Sequence, residues 1–445
     1  MSRRRARRSS GLTLVETLVG AFLSAVLLVA LLALWDSAVR LNKSQIEIAD
    51  AQGSLRFGLH QVARVVRSAG AGGLFVTQAV LIRPDPGLPG VAAPPDDDYD
   101  NVVGGTVTDL AGKSVSVRPG TDILEVRGVL FSPLLALDGA SGCGSCTGSS
   151  DLPVKAVTAS GHVNDDPARR ARFSEIDSYT AGVSDRNPMF VVVVGSDDLR
   201  PGCSDGSAGF SPRPPQPSYR VGLLTAPTRL AATGTFGSVD FSDPLARELA
   251  TEDPRDSPPP ADPPVQAFRR TGILDDVLFF IDNTDPLHPA LARALRRGRR
   301  FDIVSLAEDV EDLQVAYGVD GLYGSDGVAP DGVLGRLVAA SEGDPDPEVS
   351  TRPDGDEWAP NVEGERLFAT GDLRSSVRCP TLQAVEITLV AKSRDPDPTF
   401  RGRGALGLHA MNSPKEARDY GPAFPRYRRR ARTVMVGLRN FGRSG

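Results

Sequence analysis

The sequence is poor in the residues that usually mark chemistry or crosslinking. Among 445 residues there are 4 Cys, 4 His, 4 Met and 2 Trp, and aromatics make up 6%. So few Cys exclude a disulfide-dense scaffold. His60, His162, His288 and His409 sit in unrelated contexts, which leaves no basis for a catalytic triad. Neither a Walker A sequence nor a nucleophile elbow occurs. Gly402–Gly407 spells GxGxxG, but it follows a Pro- and Asp-rich loop rather than a strand, the wrong setting for a dinucleotide turn. No internal repeat is visible. Neither an enzymatic site nor a cofactor is expected.

What is present is an excess of turn formers and a lopsided charge. Gly and Pro number 46 and 36, which predicts a loop-rich, strand-rich body. The net charge of −6 hides five arginines and no acid in residues 1–11; without that segment the remainder stands at −11. A body that acidic is a poor general nucleic-acid binder.

From Thr17 to Trp35 no charge occurs, and Leu, Val and Ala dominate. As a helix those residues span about 28 Å, close to the hydrocarbon thickness of a bilayer. Arg3, Arg4, Arg5, Arg7 and Arg8 precede the run, so its amino-terminal side is expected in the cytoplasm and everything after it across the inner membrane. A cleaved secretory signal would need an A-x-A-like site after the apolar run, and no such pair lies between Ala21 and Ala38.

The approach to this run is Ser10-Gly11-Leu12-Thr13-Leu14-Val15-Glu16. It resembles the type IV prepilin processing motif, a Gly ahead of apolar residues with a Glu five positions on. By that resemblance a prepilin peptidase cleaves Gly11–Leu12 and methylates the new amino group of Leu12, so residues 1–11 are a leader and the helix stays with the product. The family usually has Phe where this chain has Leu12. Glu16 would neutralise the amino terminus of a neighbouring subunit when helices bundle. The alternative is an interfacial carboxylate favoured by the helix dipole.

The helix is expected to continue to Ser68. Leu41, Ile48, Leu55 and Val62 recur every seven residues, joined by Leu59 and Val66, and Ala69–Gly73 then breaks the pattern. Gly53 and Gly58 each cost about 1 kcal/mol inside a helix, so this stretch needs something to pack against. Residues 12–68 form the stem in this reading and 69–445 a head.

In the head, strands are expected at Leu74–Arg83, Asp122–Leu130, Met189–Val194, Tyr219–Leu224, Val277–Ile281, Asp302–Leu306, Val310–Tyr317, Gln383–Ala391 and Arg432–Leu438. The fold class is therefore α+β, a membrane-spanning helix followed by an antiparallel β-rich head. Alternation across Leu382–Val390 predicts a strand with one buried face. Pro-rich stretches at 211–218, 251–264 and 343–357 read as loops.

Val62–Gly70, Gly120–Arg127 and above all Ala307–Asp320 resemble the PilW family of type IV minor pilins, with the 383–391 strand and the 432–440 segment following in that family's order. Residues 131–300 show no such resemblance. The resemblance implies a low-copy pilin whose partners are other minor and major pilins, prepilin peptidase and the inner membrane. Two other readings share these features: a J-type minor pseudopilin of type II secretion, and a tip adhesin or DNA-uptake module that binds a surface ligand or DNA. A head of about 377 residues, with a radius of gyration of about 21 Å, would crowd a packed shaft and suits a tip.

Cys143, Cys146, Cys203 and Cys379 would meet an oxidising compartment. Four Cys permit three pairings, of which Cys143–Cys146 with Cys203–Cys379 is the simplest. A redox CxxC lacks its strand and helix here, and zinc lacks a second pair. Asp320, Asp326 and Asp331 among glycines form a candidate Ca²⁺ loop without the EF-hand spacing. The basic clusters Arg293–Arg300 and Arg426–Arg432 read first as solvated or acid-paired charge, and second as a DNA-capturing patch.

Overall fold

A computed structural model describes residues 13–71, 80–83, 105–118, 121–137, 149–154, 167–194, 219–250, 270–319, 358–360, 382–396 and 427–438. It has the α+β architecture expected: helix α1, Leu14–Val66, followed by an antiparallel β-rich head. The strands are β1 (Val80–Arg83), β2 (Thr106–Thr108), β3 (Ser114–Ser116), β4 (Ile123–Gly128), β5 (Leu135–Ala136), β6 (Ser149–Pro153), β7 (Met189–Val194) and β8 (Tyr219–Leu224). After them come β9 (Thr235–Asp240), β10 (Arg270–Asp282), β11 (Ala290–Arg297), β12 (Arg300–Glu308), β13 (Val310–Val319), β14 (Trp358–Pro360), β15 (Leu382–Lys392) and β16 (Arg429–Gly437). Helices Pro167–Tyr179, Leu230–Thr233 and Pro244–Ala250 lie between β6 and β10.

The chain divides into two compact units, residues up to Asp50 and residues from Ala51 onward. In the first, the apolar side chains of α1 are bare: Leu14, Phe22 and Trp35 are each about two-thirds exposed or more. Leu41, the first residue of the heptad stripe, is exposed as well, Ile48 is half-buried, and the stripe is fully buried from Leu55.

In the second unit, Ala51, Leu55, Leu59, Val62, Val65 and Val66 sit in one core cluster with residues of β4, β7, β10, β11, β13 and β15. Burying each of the larger side chains contributes about 1.5–3 kcal/mol. Gly58 makes this seat possible, since a Cβ there would lie 2.8 Å from Leu291 Cδ2 and 3.2 Å from Leu389 Cδ1. The helix ends by tightening: Ser68 N–H donates to Val65 O, Ala69 N–H to Val66 O, and Gly70 turns left-handed at φ 69°. Gly70 N–H then donates to Arg127 O, and Val129 N–H to Ala71 O, which ties the stem's last turn to β4.

The described strands form three sheets. The largest runs β1-β4-β10-β7-β8-β9-β6, with β11 and β12 continuing from β10. A second is ordered β14-β13-β15-β16, and β2 pairs with β3. Strand β10 is the spine of the large sheet and changes partners halfway along. Arg270–Leu274 pair with β7, whereas Val277–Asp282 pair with β11. On its other side, β5 gives way to β4. The side-chain alternation changes phase at the same place, because Leu274 and Val277 both line the core shared with α1.

Several sequence expectations need correction. Val277–Ile281 is part of a strand of 13 residues. β15 is buried on both faces rather than one, since Thr388 and Val390 are as inaccessible as Ile387 and Leu389. β11 was not anticipated, because its Ala-Leu-Ala-Arg-Ala-Leu sequence favours a helix and only pairing with β10 and β12 makes it a strand.

The two stem glycines should respond oppositely to substitution. Nothing lies within 4 Å of a Cβ added at Gly53, so Gly53→Ala should stabilise by up to about 1 kcal/mol. Gly58→Leu should destabilise the head by about 1–3 kcal/mol through overpacking against Leu291 and Leu389. Thermal unfolding of the detergent-solubilised chain reads both, and equal shifts of the same sign would contradict the seat described.

Candidate assembly site

The amino-terminal end of α1 is held by a capping box. Thr13 N–H and Thr13 Oγ1 both reach Glu16 Oε2, at 2.9 and 3.0 Å, and Glu16 N–H returns a bond to Thr13 Oγ1 at 3.3 Å. The side chain of Glu16 is thus engaged locally, close to the alternative in which the helix start favours an anion. Around it the helix surface is apolar, and its best 18-residue window has a mean hydropathy of 2.6 with none of it buried. By length and composition this helix can cross a membrane.

The head carries two buried ionic clusters. The first lies where β10 changes partners. Asp275 Oδ2 accepts from the Leu130 and Phe131 N–H groups at 3.1 and 3.0 Å, and its Oδ1 from Tyr179 Oη at 2.7 Å. The Arg297 guanidinium lies over the Tyr179 ring. Burial pushes the Asp275 carboxyl up to about 6, against the pull of its hydrogen bonds. Asp276 Oδ2 accepts from Arg296 Nε at 2.6 Å and lies 3.5 Å from Arg127 Nε, which also donates to Glu125 Oε1 at 2.8 Å. Burial and then Glu125 raise the Asp276 pKa, Arg127 and Arg296 opposing. Burial would lower the pKa of Arg127, but Glu125 and Asp276 outweigh it and raise it.

The second cluster joins the two larger sheets. Asp122 N–H donates to Leu313 O, and Asp122 Oδ2 accepts from Val315 N–H at 2.7 Å. Two stretches singled out separately in the sequence, Gly120–Arg127 and Ala307–Asp320, therefore meet here. Glu311 receives a two-pronged contact from Arg429, through Nε and through Nη2 at 3.3 Å, with Arg118 Nη2 3.9 Å away. Lys392 Nζ donates to Leu287 O at 2.7 Å and lies 4.5 Å from the centre of the Tyr427 ring. Its pKa is lowered, chiefly by burial. Between β12 and β13 the chain turns through Asp309, at φ 58°, whose Oδ1 is 2.9 Å from His288 Nδ1.

Comparison with known proteins bears on this second cluster. Residues 278–440 match the family model of PilW, the type IV pilus-assembly protein W. The chain is accordingly a protein related to type IV pilus assembly. No curated protein and no solved structure matches it.

The matched segment holds Glu311, Lys392, Arg429, His288 and Asp309, so the second cluster lies within it except for Arg118 and Asp122. It also begins inside residues 131–300, which the sequence reading had left without any resemblance. The Val62–Gly70 and Gly120–Arg127 stretches fall outside it.

Among the processing, assembly, disulfide and Ca²⁺ candidates, Glu16 alone lies among the described residues. Gly11, Leu12, Cys143, Cys146, Cys203, Cys379, Asp320, Asp326 and Asp331 lie outside them. The basic cluster Arg293–Arg300 is not a free patch. Arg293 stacks over Phe131, Arg296 holds Asp276, Arg297 covers Tyr179, and Arg300 Nη1 donates to Leu110 O. In the second cluster of arginines Arg429 is committed to Glu311, while Arg430 and Arg432 are exposed. Sequence reasoning missed Asp275, Asp276 and Glu125. Their only mark is that charges interrupt otherwise apolar strands, as in Ile273-Leu274-Asp275-Asp276-Val277.

The raised pKa of Asp275 has a definite sign in stability. Its folded pKa is near 6 and its unfolded value near 3.8, so the native state keeps a proton that the unfolded state has lost. Stability should fall as pH rises from about 4 to 6, by at most about 3 kcal/mol from this group. Asp276 acts in the same direction. Asp275→Asn keeps an acceptor for Tyr179 and should flatten that part of the profile. Unfolding measured across pH 4–7 checks it, and an unchanged slope in the variant would contradict the assignment.

Proposed function

We propose that the chain is a minor pilin that prepilin peptidase processes at Gly11–Leu12, that inserts once in the inner membrane with its amino terminus in the cytoplasm, and that helps to start a type IV pilus and stays at its tip. Its role is structural rather than enzymatic. The observation that carries this reading is one unbroken helix, Leu14–Val66, with the bare, uncharged run Thr17–Trp35 near its start, in a chain whose residues 278–440 match the PilW family model. A helix that apolar needs lipid or other helices around it, and a pilus offers both in turn: the bilayer before assembly and the bundled stems after it. The family match also favours a pilus over a type II secretion filament.

Glu16 fits this course. Before assembly its carboxylate is satisfied by Thr13. Within a low-dielectric bundle a neighbour's amino terminus offers a full positive charge, a stronger partner than a neutral hydroxyl and one N–H. The exchange would fix axial register between subunits.

Mass spectrometry of the chain from its own envelope should give an amino terminus at Leu12, and Gly11→Glu should leave an uncut, membrane-bound precursor. An intact leader on the wild type, or a terminus near Ala38, would sink the reading. Glu16→Gln keeps the capping geometry but not the charge, so it should be processed normally and yet be recovered poorly in sheared filaments. Gold labelling confined to filament ends is expected, and uniform labelling along shafts would contradict tip placement.

A head across the membrane also implies that Cys143, Cys146, Cys203 and Cys379 are in disulfides. Non-reducing digestion should find them paired. Four free thiols in protein taken from its envelope would contradict the orientation.

A further inference from the structure

The helix face opposite the core has a composition that the chain itself does not explain. In the head unit, Gly53, Phe57, His60 and Arg64 are exposed and lie within about 60° of one another at 100° per residue, flanked by Arg56 and Arg67. Phe57 is 51% exposed. Arg56, His60, Arg64 and Arg67 have no partner among the described residues, and no acid lies between Ala51 and Ser68. Gly58 is a glycine because Leu291 and Leu389 leave no room for a side chain. Gly53 has no such reason, since an added Cβ meets nothing within 4 Å. A helix-weakening residue in open space, one turn from a half-bare aromatic ring, is what a close helix crossing requires: a gap for a neighbouring backbone beside an apolar anchor.

We infer that the Gly53–Phe57–His60–Arg64 face is a docking surface for the stem helix of a different pilus subunit, one that carries carboxylates on its facing turns. The inference rests on the pilus reading above and specifies which side of this stem meets a neighbour. The charge decides the partner. Three arginines, Arg56, Arg64 and Arg67, with no acid between Ala51 and Ser68, repel the same face of a second copy held in register, so the occupant is another subunit with acidic residues at helical spacing. A membrane surface would attract the arginines but has no helix to fill the space at Gly53. Nucleic acid would use the arginines but leave the space at Gly53 unaccounted for.

The test uses the full chain in its own cells. A photo-reactive benzophenone side chain at position 57 should crosslink to another pilin-like subunit, and the crosslinked residues of that partner should lie on its stem. Gly53→Leu and Arg64→Glu should each lower recovery of the chain in sheared filaments by about tenfold or more, with processing and membrane levels unchanged. Arg64→Lys should restore recovery. If the wild type enters filaments and both variants enter equally well, or if position 57 crosslinks to DNA or lipid or to nothing in assembled filaments, the inference is overturned while the pilus reading stands. If the wild type never enters filaments, the pilus reading falls and the inference falls with it.

Discussion

Two adjacent carboxylates in the middle of β10 set the terms for the rest of the head. A strand that exchanges β7 for β11 and β5 for β4 within a few residues leaves backbone groups without a ladder to join. Asp275 takes up the Leu130 and Phe131 N–H groups stranded by that exchange, and Asp276 draws in Arg296 and Arg127 from the new neighbours. Neither carboxylate could be buried alone, because each needs donors to offset the loss of water. Arg296 is in turn held over Phe301 and its neighbour Arg297 over Tyr179, so the cluster also fixes one end of the β11–β12 hairpin and the helix Pro167–Tyr179. The continuous large sheet follows from this one patch.

The stem depends on the same sheet from its other face. Leu274, Val277, Phe279 and Ile281 line the core into which Leu55, Leu59, Val62 and Val66 insert, with Val385, Ile387 and Leu389 of the second sheet closing it. Because Gly70 and Ala71 bond to both ends of the Arg127–Val129 segment, the helix terminus and the ionic cluster share a strand. A change in the charge balance at Arg127 therefore reaches the base of the stem without passing through solvent.

Much of this was legible in the sequence, and the reasons for the remainder are physical. The long helix was readable because its signals are local: an uncharged run, no proline before Pro84, and a glycine break. Met189–Val194 and Tyr219–Leu224 were found at their observed ends, since β-branched and aromatic runs bounded by polar loops have few other uses. β11 was lost because its residues prefer helix and only its neighbours make it a strand. Glu16 was found by its motif, but its bonds to Thr13 were not, although Thr-x-x-Glu is itself a capping sequence. The buried acids were missed for a different reason. A charge in a strand reads as a solvent-facing residue unless its partners are known, and Asp275 and Asp276 find Tyr179 and Arg127 in distant parts of the chain.

The joint between β12 and β13 is a single residue. Asp309 turns the chain from the large sheet into the second one, with its carbonyl held by the Lys392 N–H and its carboxylate beside His288. A connection that short has no slack, so the sheets cannot swing apart as two leaves on a hinge.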